Sequence, residues 1–144
     1  MIYHVTIIHC PLANYIPSLG AKHGFILADE GFDVWLGNFR GNTYSINHVN
    51  GSSPEYWDFS MHEMGRYDIP AMIDLVLRVT QLARLFVVAH STGATSTYVM
   101  ASIRSEYISK MILLVAIAPV VPAPHLDTTA KDEAGRLGKK MLVS

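Results

Sequence analysis

The residues best suited to chemistry are Ala89-His90-Ser91-Thr92-Gly93, which stand between an unbroken apolar run, Leu85 to Ala89, and a segment of helical character from Gly93 to Ser105. This is the setting of a small-x-Ser-x-Gly nucleophile elbow, with Ala in place of the first Gly. A sharp strand-to-helix turn brings neighbouring backbone close, so both ends of the motif need small residues, and the turn lifts the serine oxygen clear of the sheet. Ser91 is therefore the candidate catalytic nucleophile for acyl transfer. The backbone N–H of Thr92 would face the oxyanion of a tetrahedral intermediate, aided by the positive end of the following helix. The string alone arises by chance in roughly one chain in ten of this length; the strand before it and the helix after it give it weight. His90 is adjacent to Ser91 but points away on so sharp a turn, and is read as packed or exposed rather than as the base.

Other chemistries find no support. His62-Glu63 lacks the second histidine of H-E-x-x-H, and the remaining histidines show no ligand spacing. No phosphate loop or dinucleotide fingerprint occurs, so neither a metal nor a cofactor is expected. Eleven Lys and Arg against twelve Asp and Glu leave a net charge of −1, with no basic excess for a nucleic acid. With 50% apolar and 16% charged residues, the 144-residue chain can fill the interior of one domain. The longest apolar run, Met111 to Val121, contains Pro119 and falls short of the roughly twenty residues of a membrane span. The opening residues MIYHVTIIHC show no secretory signal pattern, and a single cysteine, Cys10, excludes an internal disulfide. Trp35 and Trp57 are read as core packing, and Arg40 as a residue that fixes a loop.

The elements that must position Ser91 alternate in type. Short apolar runs at Val5–His9, Phe32–Gly37, Leu85–Ala89 and Met111–Ala118 read as strands buried on both faces. Between them lie helices over Leu19–Glu30, closed by Gly31, from Met61 to about Val79, and over Gly93–Ser105. Ser60 and Glu63 have the spacing of a capping box, and a pause is expected around Asp68 and Pro70. The order β-α-β-α-β-α-β implies an α/β fold, a mostly parallel sheet with helices on both faces and functional groups at the carboxyl ends of the strands. Residues 1–121 read as the domain body and 122–144 as an irregular tail, with a weakly amphipathic helix over Ala130–Leu142.

Four stretches, HGFILADEGFDVWLGNFRGNTYS, EYWDFSMHEMGRYDIPAMIDLVL, AHSTG and AIAPV, together resemble the acid lipases: the gastric and lysosomal lipases and their animal relatives. The resemblance runs from His23 to about Val121 and covers the N-terminal portion of that family's pattern. It implies an α/β-hydrolase fold and a serine ester hydrolase acting through an acyl-enzyme on triacylglycerols, cholesteryl esters or similar acyl lipids, at a lipid–water interface and without a cofactor. It also implies secretion or lysosomal targeting with N-glycosylation, for which Asn50-Gly51-Ser52 offers a sequon. By position, Ser91 matches the family nucleophile and Thr92 the residue after it. The second oxyanion donor would fall at Pro11, which has no N–H; losing one such donor typically costs about 10² to 10³ in rate. The family order is Ser, Asp, His, whereas the one histidine after Ser91 is His125, ahead of Asp127 and Asp132. No complete triad is visible. Three readings stay open: an incomplete form of a serine lipase; a truncated or degenerate relative that binds lipid or a protein partner without catalysis; and another chemistry of the same fold, such as thioester or amide cleavage, which the long family-specific string disfavours. An open sheet ending at its fourth strand would expose an apolar edge and face, so self-association of the isolated chain is expected.

Overall fold

The computed structural model describes residues 4–8, 19–42, 44–45 and 57–120. Strand β1 (His4–Ile8) is followed by helix α1 (Leu19–Asp29) and strand β2 (Asp33–Gly37). A helical stretch then runs without interruption as α2 (Met61–Glu63), a π-helical turn (Met64–Asp68) and α3 (Ile69–Thr80). Strand β3 (Leu85–His90), helix α4 (Thr92–Ile103), a 3₁₀ helix (Ser105–Lys110) and strand β4 (Met111–Ile117) complete the order. Each expected strand and helix in these segments is present, with ends moved by a residue or two. The 3₁₀ helix was not anticipated, and the expected helix over Ala130–Leu142 lies outside the described residues. Helix α1 ends as its sequence indicates: Gly31 takes φ 86°, and the amides of Gly31 and Phe32 close onto the carbonyls of Ala28 and Leu27.

All strand pairs are parallel, in the order β2-β1-β3-β4. The chain moves outward from β1 to β2, then returns past β1 to β3 and continues to β4. With right-handed crossovers, that reversal puts α1 on one face and the 61–80 helix with α4 on the other. It also makes the carboxyl ends of β1 and β3 a topological switch point, where open α/β sheets bind ligands. Ile8 pairs with Ala89 there, immediately before the candidate elbow.

The core lies between the sheet and the second helical layer. Leu85, Val87 and Ala89 alternate inward along β3 and meet Ile69, Ile73 and Val76 of α3 with Ala94 and Met100 of α4. Trp35 packs against this core, and its indole N–H donates to Asp33 at 2.8 Å. Trp57, by contrast, is 52% exposed and stacks on Phe59, so its assignment to the core is corrected: it lies just before α2, outside the two layers. The opposite sheet face is open around β4, where Leu113 is 54% exposed and Val115 41%.

The expected pause near Pro70 is also corrected. A proline inside a regular helix removes one hydrogen bond and presses on the carbonyl four residues back, here that of Arg66. The chain widens instead of stopping. The Ile69 N–H bonds to the Met64 carbonyl, and the Arg66 carbonyl accepts from the Arg104 guanidinium at 3.3 Å.

Candidate active site at the β3–α4 turn

Among the described residues, Ser60 and Ser91 each stand directly before an α-helix, and they differ. Ser60 is an ordinary N-cap with φ −133° and ψ −173°; its Oγ accepts from the His62 N–H at 3.1 Å, while its own N–H donates to Glu63 at 2.7 Å. The Ser60 hydroxyl also donates to Glu63 at 2.7 Å, and this bond first, with the Ser60 N–H second, holds the Glu63 carboxyl down at about 2. Ser91 has φ 55° and ψ −123°, and its side chain makes no capping bond to α4. A side chain at positive φ outside glycine costs on the order of 1–3 kcal/mol and persists only where its surroundings dictate it. Strand β3 ends at His90 and α4 begins at Thr92, so Ser91 alone makes the turn from strand to helix.

The surroundings are small and closely packed. Ala89 and Ala94 are fully buried and Gly93 is buried, as a turn that folds strand onto helix requires. The Ser91 N–H donates to the Ile117 carbonyl at 2.9 Å, and the Ser91 carbonyl accepts from the amides of Ala94 and Thr95 at 3.0 and 3.2 Å. Thr92 is the first residue of α4. The amides of Thr92 and Gly93 belong to the first turn, which has no intrahelical acceptor for them, so the pole beside Ser91 carries partial positive charge. His90 is half-buried and ends β3 on the strand face opposite Ala89.

A layer of helices behind the turn holds α4 in place. Gly65 lies so close to α4 that an added Cβ would stand 2.6 Å from the Ser96 carbonyl and 2.9 Å from Val99. The Ser96 hydroxyl meets the Met64 sulfur at 3.9 Å. Arg40, in the loop after β2, donates from Nε to both carboxylate oxygens of Asp68 at 2.9 and 3.0 Å and from its own backbone N–H to the same group. It fixes the loop to the π turn, as read from the sequence. Gly65, the π turn and the bond from Ser91 to Ile117 carried no sequence signal beyond the glycine and proline themselves.

Pro11, Asn50 and His125 lie outside the described residues. Among the described residues, no group of three or more His, Cys, Asp or Glu side chains could hold a metal ion, and no helix is long and apolar enough to cross a membrane.

The family model described as "alpha/beta hydrolase fold" matches residues 4–141. The chain belongs to the alpha/beta hydrolase family. Among its relatives, Lipase 1 of Drosophila melanogaster is 50% identical over 105 residues, covering 72% of this chain and 24% of that protein. Gastric triacylglycerol lipase of Bos taurus is 46% identical over 115 residues, covering 78% of this chain and 29% of the enzyme. The resemblance to the acid lipases is thus borne out, and the match spans 24% to 29% of the length of these relatives. An extracellular alpha/beta-hydrolase from a Paenibacillus species shares the fold at TM-score 0.60 and 13% identity, over 94% of this chain and 50% of its own.

Proposed function

We propose that this alpha/beta hydrolase chain is the nucleophile-bearing portion of a serine ester hydrolase of acid-lipase type, acting on acyl lipids such as triacylglycerols or cholesteryl esters. The observation that carries the reading is the conformation of Ser91: a serine before a helix, held at positive φ at the sheet's switch point, with its hydroxyl not spent on capping. In the reaction, Ser91 Oγ attacks the ester carbonyl carbon and gives up its proton to a general base. The resulting oxyanion is stabilised by the Thr92 N–H and the positive pole of α4. Collapse expels the alcohol and leaves an acyl-enzyme, which water cleaves to return the serine. The family order puts the base and its orienting acid downstream of Ser91, and no residue described here takes those roles.

A second reading, a relative that binds acyl lipid or a protein partner without turning over, is favoured by Pro11, whose missing N–H removes an oxyanion donor at the family position. Intact-mass analysis after exposure to a fluorophosphonate, on the parent and on Ser91→Ala, separates the two. One adduct on the parent and none on the variant supports the catalytic reading and requires a base outside the described residues. A folded parent that takes no adduct overturns the catalytic reading of this chain and leaves the binding one.

A further inference from the structure

We infer that Thr95 is a positioning residue: its hydroxyl ties the chain leaving β4 to the first turn of α4 and thereby holds Ser91 in its positive-φ conformation. The inference rests on the reading of Ser91 as nucleophile only for its consequence in catalysis; the tether itself is a matter of geometry. Of the bonds at the Ser91 backbone, those to its carbonyl come from the helix it begins, and the bond from its N–H to Ile117 is the one that reaches another element. Ile117 ends β4, and the next residue, Ala118, turns the chain at φ 45°, itself unusual for a residue with a Cβ. The direction of the Ile117 carbonyl therefore depends on how the 118–120 segment is held. The Thr95 hydroxyl donates to the Val120 carbonyl at 2.7 Å. A closed loop results, from Ser91 along the helix to Thr95, across to Val120, back to Ile117 and again to Ser91.

Other threonines in the molecule show that this is not the habitual helical contact. Thr97 and Thr80 each bond the carbonyl four residues back, at 2.8 and 2.7 Å. Thr95 stands 3.5 Å from the corresponding carbonyl, that of Ser91, and turns to Val120 instead. Of the two acceptors, the nearer one lies beyond the helix.

The test compares the full chain with Thr95→Val, which keeps the shape without the hydroxyl, and Thr95→Ser, which keeps the hydroxyl. The readouts are hydrogen exchange of the Ser91 amide and the rate of fluorophosphonate labelling. Thr95→Val is expected to speed Ser91 exchange about three- to tenfold, the opening ratio equivalent to one neutral hydrogen bond, with β3 core amides unchanged and labelling slowed to a similar degree. Thr95→Ser is expected to match the parent in both. If the valine variant loses its fold, Thr95→Ala carries the same comparison without a methyl group beside Val120. Equal Ser91 exchange in parent and valine variant, or a serine variant as fast as the valine one, overturns the tether. A parent that takes no label while exchange responds as expected leaves the tether standing and removes the catalytic reading.

Discussion

At the scale of the residue, Ser60 and Ser91 show what one side chain can do before a helix. Ser60 spends its hydroxyl on the helix; Ser91 does not, and its backbone carries the strain. Replacing the side chain tests that strain directly. Ser91→Gly is expected to be more stable than Ser91→Ala by about 1 kcal/mol or more, because glycine alone tolerates the positive φ, and this outweighs its larger unfolded-state entropy. Equal stabilities in urea denaturation would mean that the turn is relaxed. Ser91 was legible because small residues, an apolar run and a helical segment surround it. The residues that hold it were not, because a carbonyl such as that of Ile117 or Val120 has no identity in a sequence: every residue owns one. Trp57 was misread for a related reason, since an aromatic ring packs equally well in a core or against a loop.

At the scale of the element, the helix over 61–80 depends on its start and on its widened turn. The capping box is pH-dependent. Glu63 loses its proton more readily in the folded chain, at about 2, than its ordinary value of 4.5, so its contribution is complete above pH 4.5 and is lost as the pH falls through about 2. Backbone amide shifts at the start of α2 are expected to move as the pH falls through about 2, and Glu63→Gln to abolish the movement. Gly65→Ala is expected to destabilise the chain by about 1–3 kcal/mol, since the new methyl group meets backbone of α4 that cannot swing away; an unchanged midpoint in denaturant would show that the helices separate freely. The amphipathic pattern of α3 and the S-x-x-E cap were both readable. The π turn was not, because Pro70 announces a disturbance without saying whether the helix stops, kinks or widens.

At the scale of the whole molecule, alternation of apolar runs with helical segments revealed a parallel sheet but not its strand order, since each run is apolar on both sides and suits any interior position. The open face follows from that order. Leu113, Val115 and Ile117 lie on the side of β4 away from the second helical layer, in register with Phe86, Val88 and His90. Sedimentation velocity on the isolated chain is expected to show concentration-dependent association, and Val115→Lys to weaken it about tenfold or more, the equivalent of withdrawing one apolar side chain from a contact; a parent that sediments as a monomer at all concentrations would exclude such contacts. The pairing of Val5 with Phe86 has a consequence in time as well as in space. During synthesis β1, α1 and β2 emerge together and can associate early, but the far edge of β1 waits while the ribosome makes everything up to β3, on the order of ten seconds at ordinary elongation rates. Parallel pairing between such distant segments is intrinsically slow. The nucleophile turn, which sits just beyond that pairing, is consequently among the last parts of the described fold to take shape.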